Sequence, residues 1–95
     1  MSVMVIIRFP VPFAQLKAWA DSTDGSLLHP ILDLMKKYGR ISHRAATSQT
    51  EFVDFDEWPS REAYAGFKAE AGPYIDKFES AFGHRSTDTV YDLLE

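Results

Sequence analysis

Residues 51–68 read EFVDFDEWPSREAYAGFK, and this stretch combines a β-strand, the end of that strand and the start of a helix. Its first eight positions are rich in aromatic residues, which favour a strand. Pro59 ends the strand because proline has no N–H to donate to a neighbouring strand. Ser60 is a typical N-cap residue, so a helix is predicted to begin directly after it.

Side chains on this strand alternate between its two faces. One face is predicted to carry Phe52, Asp54, Asp56 and Trp58, and the other Val53 and Phe55. Two carboxylates and a tryptophan therefore share one surface. This surface is the first candidate for a site with chemical activity.

The N-terminal part of the chain predicts one strand and two helices. Residues 3–9 form an apolar run broken only by Arg8, which predicts a strand that is apolar on both faces. Pro12 suits the first position of a short helix with apolar residues at helical spacing. A second helix is predicted to open around Pro30 and to end at Gly39, a natural residue for the left-handed position after a helix.

The C-terminal part predicts an interrupted helix and a last strand. The helix that begins after Ser60 is predicted to stop at Gly72 and Pro73, since proline removes a helical donor and clashes with the preceding turn. A second helical segment then runs to Gly83. The last strand is predicted over residues 87–94.

With a weaker strand at residues 41–48, the predicted order is βαββαβ. That order fits an α+β, ferredoxin-like fold, a four-stranded antiparallel sheet with the helices on one face, and a single domain over residues 1–95. Helices on one face leave the second apolar face of strand 3–9 uncovered. A second copy packed sheet against sheet is the simplest cover, so we expect a homodimer.

Composition excludes several classes of function. A net charge of -4 with scattered lysines and arginines argues against nucleic-acid binding. No apolar run approaches the roughly 20 residues of a membrane helix, and no signal-peptide pattern is present, so we expect a cytoplasmic protein without a membrane partner. Cysteine is absent, and no ligand spacing or glycine-rich motif predicts a metal or a nucleotide. We therefore expect no metal and no cofactor.

The element order together with the motif DEWPSREAYAGF at residues 56–67 resembles the dimeric α+β barrel superfamily, and within it the antibiotic biosynthesis monooxygenase-like proteins. The resemblance implies a homodimeric barrel with a pocket between helices and sheet in each subunit. The superfamily includes cofactor-independent oxygenases of aromatic polyketides, heme-degrading enzymes and muconolactone isomerases. Heme degradation is disfavoured, because such members use an asparagine and this chain contains none.

The hairpin before the opening stretch decides which side chain faces Asp56. A two-residue turn at Gln49 and Thr50 places His43 opposite Asp56, where the carboxylate would fix the imidazole tautomer and make the histidine a general base. A three-residue turn places Arg44 there instead and gives a salt bridge. Either pair could also do no more than satisfy polar groups within the sheet or the dimer interface.

Other residues are candidates for binding a substrate. Asp54 either interacts with its neighbouring carboxylate in a dry site, or is solvated or paired with Arg44 or Arg8. Trp58 and Phe67 are candidate walls for a flat molecule, although Trp58 is by default a core residue. Tyr74 and Lys68, near the predicted helix break, are candidate lid residues.

Two hypotheses of function follow. The first is a cofactor-independent, monooxygenase-like enzyme in which His43, oriented by Asp56, deprotonates a small planar molecule packed on Trp58 and Phe67. The alternative is a non-catalytic homodimer that binds a ligand or a partner protein. The alternative predicts that Asp54, Asp56 and His43 are fully paired and that no cavity of the ~300 Å³ needed by a small ligand remains.

Overall fold

A computed structural model of the chain describes residues 1–23 and 25–94. The elements, in chain order, are β1 Val3–Phe9, α1 Phe13–Ser22, a 3₁₀ turn Gly25–Leu28, α2 His29–Lys37, β2 Ser42–Thr47, β3 Phe52–Trp58, α3 Arg61–Phe82 and β4 Thr87–Asp92. No helix in these two ranges combines the length and the hydropathy that crossing a membrane requires.

The four strands form one antiparallel sheet in the order β2-β3-β1-β4. β1 and β3 lie at its centre, and the hairpin strand β2 and the last strand β4 form its edges. This arrangement confirms the predicted ferredoxin-like α+β fold. It also makes β3, the strand of the opening stretch, the place where the hairpin and the helices meet.

The hydrophobic core lies between the helices and one face of the sheet. Val3, Val5 and Phe9 of β1 and Phe52 and Trp58 of β3 are buried there. The Phe9 and Phe52 rings stack with their centroids 4.6 Å apart. The alternation predicted for β1 and β3 is confirmed, because the residues between these core positions point to the opposite face.

That opposite face has no cover from the described part of the chain. Its members are Met4, Ile6 and Arg8 of β1, Ser42, Arg44 and Ala46 of β2, Val53, Phe55 and Glu57 of β3, and Thr87, Thr89 and Tyr91 of β4. Phe55 and Tyr91 are exposed, and Met4 and Ile6 are only partly covered. We call this surface the open face.

The helix after β3 differs from the prediction. α3 runs without interruption from Arg61 to Phe82, so the break expected at Gly72 and Pro73 is wrong. Pro73 has no N–H to donate to the carbonyl of Ala69, four residues earlier in the helix. Both residues lie on the solvent side of α3. Water can hydrate that carbonyl, so burial of the helix's other side outweighs the lost hydrogen bond.

The predicted helix ends are mostly confirmed. The Ser60 hydroxyl accepts a hydrogen bond from the Ala63 N–H at 3.0 Å and caps α3. Gly83 and Gly39 adopt left-handed conformations, with φ of 88° and 82°, directly after α3 and near the end of α2. β4 ends at Asp92, two residues before the predicted end.

Candidate active site

A cavity of about 420 Å³ lies between the helices and the core side of the sheet. Most of its wall is apolar, with Ile7, Phe9, Leu16, Ile31, Phe67 and Phe78 among the lining residues. Its polar lining residues are Arg40, His43, Asp54, Tyr64, Lys68, Glu79, Ser86 and Asp88. An apolar cavity of this size with a few polar groups is typical of a small-molecule site.

The β2–β3 hairpin places His43 in this cavity. The Ser48 N–H donates to the Glu51 carbonyl at 2.8 Å, which closes a two-residue loop at Gln49 and Thr50. The resulting register pairs His43 with Asp56. The register predicted from a two-residue turn is therefore confirmed.

The His43–Asp56 pair has the geometry of an oriented base. His43 Nδ1 lies 2.5 Å from Asp56 Oδ1, and Asp56 is 1% exposed. The other carboxylate oxygen, Oδ2, makes no hydrogen bond to any residue that the structure describes and lies 3.6 Å from Arg40 Nη1. Since the buried carboxylate occupies Nδ1, the imidazole Nε2 remains available to a molecule in the cavity.

Asp54 is the carboxylate of β3 that lines the cavity. Its partners across the sheet are Ile7 on β1 and Ala45 on β2, neither of which can donate a hydrogen bond from its side chain. Asp54 has no side-chain hydrogen bond or ion pair within residues 1–23 and 25–94. Burial, with a smaller contribution from the Asp56 charge, raises the pKa of Asp54 above its usual value.

The raised pKa of Asp54 predicts a pH-dependent gain in stability for Asp54→Asn. The folded protein holds the Asp54 proton more strongly than the unfolded chain, so stability falls as pH rises from the unfolded pKa of ~3.9 through the folded one. Near pH 7 the variant lacks this cost, and its melting temperature should exceed that of the wild type. Below the unfolded pKa the advantage should disappear. Thermal unfolding at about pH 7 and pH 3 measures both differences.

Asp33→Asn is the matched control, because Asp33 is an exposed carboxylate on α2. This control should leave the melting temperature almost unchanged at both pH values. A lower melting temperature for Asp54→Asn near pH 7 would contradict the burial argument.

A second polar group lies on the β4 side of the cavity. The Tyr64 hydroxyl donates a hydrogen bond to Asp88 Oδ2, and Lys68 Nζ lies 3.4 Å from the same oxygen. Burial, and then the hydrogen bond to Asp88, raises the pKa of Tyr64, so its hydroxyl stays protonated and acts as a donor. This end of the cavity can therefore orient a ligand but supplies no free base.

The structure brings some predicted site residues together and leaves others apart. His43, Asp54 and Phe67 line the cavity, as does Lys68. Trp58 is fully buried and packs on Tyr64 and Phe67, with centroid distances of 5.3 and 4.8 Å, so it lies behind the wall.

Two other predicted site residues lie away from the cavity. Arg44 pairs with Phe55 and lies on the open face of the sheet. Tyr74 lies on the exposed side of α3 at 44% exposure and does not line the cavity, so the position predicted for a lid is not the one observed.

Sequence reasoning missed five polar residues of the cavity lining, Arg40, Tyr64, Glu79, Ser86 and Asp88. Arg40 lies in the short connection between α2 and β2, where no periodicity predicts its direction. Asp88 reaches the cavity because β4 pairs it with Ile7. No group of three histidine or acidic side chains in the described part of the chain could hold a metal ion.

Solved structures provide the comparison. SnoaB, described as a cofactor-independent oxygenase from Streptomyces nogalater, superposes with a TM-score of 0.67 at 15% identity, over 99% of this chain and 94% of SnoaB. A putative antibiotic biosynthesis monooxygenase from Deinococcus radiodurans gives 0.67 at 14% identity, over 98% and 93% of the two chains. This chain has the antibiotic biosynthesis monooxygenase fold. The resemblance inferred from DEWPSREAYAGF is thereby confirmed at the level of fold.

A third structure with this monooxygenase fold contains a ligand. It is the monooxygenase ActVA-Orf6 of Streptomyces coelicolor in complex with nanaomycin D, with a TM-score of 0.59 at 17% identity over 99% of this chain and 90% of that one. The sequence itself matches no family model and no curated protein. At these identities the likeness shows a shared fold, so activity must be argued from the cavity.

Proposed function

We propose that this protein is a cofactor-independent, monooxygenase-like enzyme that acts on a small planar molecule bound in the 420 Å³ cavity. The observation that carries the proposal is the His43–Asp56 pair, in which a buried carboxylate 2.5 Å from Nδ1 holds an imidazole at the cavity wall. The solved structures of oxygenases with the same fold support the class of reaction.

The reaction needs only a base and a dry, apolar enclosure. His43 Nε2 takes a proton from a phenolic hydroxyl or from a carbon beside a carbonyl. The resulting anion passes one electron to dioxygen, and the substrate radical and superoxide combine through a new C–O bond. Cleavage of the O–O bond with loss of water then leaves a carbonyl. One CH₂ group and one O₂ thus become one C=O group and one water, and the substrate itself is the reductant.

The enclosure favours a flat, mostly apolar substrate. The aromatic rings of Phe9, Phe67 and Phe78 provide surfaces against which a planar ring can pack. Lys68, on the β4 side of the cavity, has N–H groups beyond the one that faces Asp88 and can donate a hydrogen bond to a carbonyl of the substrate. The negative charge that develops after deprotonation would lie beside the protonated His43 imidazole, whose charge the Asp56 carboxylate stabilises.

Oxygen uptake tests the proposed function directly. Purified protein dialysed against a chelator would be mixed with a planar phenol carrying an activated CH₂ group, such as 1,8-dihydroxyanthrone, in an oxygen electrode. We expect uptake above the protein-free rate, with one ¹⁸O atom from ¹⁸O₂ in the product carbonyl. Uptake equal to the protein-free rate across a panel of such phenols would contradict an oxygenase function.

The non-catalytic alternative requires a filled polar face. It predicts paired carboxylates and no cavity, whereas Asp54 has no partner among the described residues and the cavity exceeds the ~300 Å³ of a small-ligand site. These two observations support the binding of a small molecule in the cavity. Tight binding of planar phenols without any turnover would instead favour the ligand-binding alternative.

We further propose that the open face is covered by a second copy of the chain. Its apolar centre, formed by Ile6 and Phe55, is flanked by Arg44 and Glu57. Opposite charges around an apolar centre are self-complementary under a two-fold axis, because Arg44 of one copy can meet Glu57 of the other. The enzyme would therefore be a homodimer with one cavity in each subunit.

Phe55→Lys is expected to dissociate the proposed dimer. The lysine would bring an unpaired ammonium into the centre of the interface, and its desolvation should weaken dimerisation by roughly 100-fold or more. Sedimentation equilibrium at micromolar concentration should give twice the 10.8 kDa chain mass for the wild type and one chain mass for the variant. Gln49→Lys, which adds the same charge in the exposed hairpin turn, should stay dimeric. A monomeric wild type would overturn this proposal.

A further inference from the structure

The carboxylates at the cavity differ in how their charges are compensated. Asp56, behind the wall, contacts His43 and lies near Arg40. Asp88 accepts a hydrogen bond from Tyr64 and pairs with Lys68. Glu79 accepts a hydrogen bond from Ser86 at 2.5 Å, and its other oxygen lies 3.8 Å from Arg85. Each of these three groups has a hydrogen-bonding partner and a cation within 4 Å, although Arg85 also pairs with Asp76.

Asp54 has neither among residues 1–23 and 25–94. It lies on the cavity wall between Ile7 and Ala45, so the adjacent strands provide only apolar side chains. Arg40 and His43 attract its charge from a distance, but both are engaged with Asp56. Asp54 is half-buried, so its carboxylate has lost part of its hydration and has no partner among the described residues to replace it. A cation or a strong donor that enters the cavity would supply that partner.

We propose that the ligand of this cavity carries a protonated amine that pairs with Asp54. A charge-assisted hydrogen bond from an ammonium group to this carboxylate would replace the lost hydration. An anionic group at the same place would meet two like charges, Asp54 and Asp56. The cations that could offset this repulsion, Arg40 and Lys68, already pair with Asp56 and Asp88. The inference rests on the proposed ligand-binding role of the cavity and names the class of its ligand.

The sheet register also limits where the amine lies on the ligand. Asp54 is the diagonal neighbour of His43 across the β2–β3 ladder, because His43 pairs directly with Asp56. Diagonal neighbours on one face have their β-carbons roughly 7 Å apart. A group that gives its proton to His43 and an amine that binds Asp54 therefore fit on one fused ring system. The ligand class is an amino-substituted planar phenol or carbon acid.

Three naphthalene derivatives of nearly equal shape but different charge show whether the affinity of the cavity depends on the charge of the ligand. They are 1-naphthylmethylamine, a cation near pH 7; 1-naphthylmethanol, its neutral counterpart; and 1-naphthoate, an anion. Isothermal titration calorimetry on the full-length wild-type protein gives the three dissociation constants. Hydrogen bonds to charged groups contribute about 1.5–3 kcal/mol, so the amine should bind roughly 10- to 100-fold more tightly than the alcohol. The naphthoate should bind most weakly.

Two variants test whether Asp54 is the residue that causes the tighter binding of the amine. Asp54→Asn keeps the shape of the side chain and removes its charge, so the amine and the alcohol should then bind with nearly equal affinity. Asp33→Asn removes an exposed carboxylate on α2 and should keep the wild-type preference. The wild-type comparison does not depend on either variant and tests the inference even if Asp54→Asn folds poorly.

Three outcomes would overturn the inference. In the first, the wild type binds the alcohol or the naphthoate as tightly as the amine, and the cavity function stands without the cation preference. In the second, the preference for the amine persists in Asp54→Asn, so another group recognises the ammonium. In the third, none of the three probes binds, and the proposed function fails together with the inference.

Discussion

Replacing His43 by alanine is expected to lower oxygen-dependent turnover of a planar phenol by about 10²- to 10⁴-fold, the usual contribution of a positioned general base. Asp56 holds Nδ1 of His43, a residue of the cavity lining, and the proposed mechanism uses the other ring nitrogen, Nε2, as the proton acceptor. The other carboxylates that line the cavity are less suited to act as the base. Asp88 and Glu79 already accept hydrogen bonds, and Asp54 lies between the apolar side chains of Ile7 and Ala45. Substrate binding should weaken much less than turnover, because the apolar walls are unchanged.

Two further variants separate the base from its support. Asp56→Asn should lower turnover in the same direction, since the amide no longer provides a negative charge beside the imidazolium that forms. His29→Ala makes the same substitution at an exposed histidine outside the cavity and should keep wild-type turnover. Rates unchanged in both His43→Ala and Asp56→Asn would remove the proposed base.

Replacing Trp58 by alanine is expected to cost about 3–5 kcal/mol of unfolding free energy. Trp58 is 0% exposed and packs between the sheet and α3 on the rings of Tyr64 and Phe67. Domains of this size are stable by only ~5–15 kcal/mol, so the variant should be partly unfolded near physiological temperature. Urea denaturation followed by circular dichroism measures the loss.

Trp58→Phe distinguishes a structural from a binding role. The Trp58 Nε1 has no hydrogen-bond partner in the described part of the chain, so removing this buried donor relieves a desolvation cost that offsets part of the lost packing. The phenylalanine variant should therefore lose much less stability than the alanine variant and should still bind planar probes. A stable Trp58→Phe protein that no longer binds any probe would place Trp58 in direct contact with the ligand.

The hairpin shows where sequence reasoning succeeds. Alternation assigns the faces of β3, and once the turn at Gln49 and Thr50 is known to have two residues, every cross-strand pair is determined. The sequence alone left two turn lengths open, and with them the choice between His43 and Arg44 opposite Asp56. The hydrogen bond from Ser48 to Glu51 in the structure selects His43 and leaves Arg44 on the open face.

Pro73 and Asp88 show where sequence reasoning fails, for different reasons. The penalty of a proline in a helix depends on whether the freed carbonyl is hydrated, and this depends on tertiary packing that a local pattern does not contain. The contact between Asp88 and Tyr64 joins residues of two different elements, β4 and α3. Neither spacing nor propensity predicts such a contact, so only three of the eight polar lining residues, His43, Asp54 and Lys68, were predicted from the sequence.

A crystal structure of the protein with 1-naphthol tests the central claim most directly, because it asks whether a planar phenol enters the cavity with its hydroxyl at His43. We predict the naphthol ring packed against Phe67, with its oxygen about 2.6–3.2 Å from His43 Nε2. The His43 Nδ1 should keep its contact with Asp56. Naphthol bound elsewhere, or bound in the cavity with its hydroxyl directed away from His43, would contradict the account.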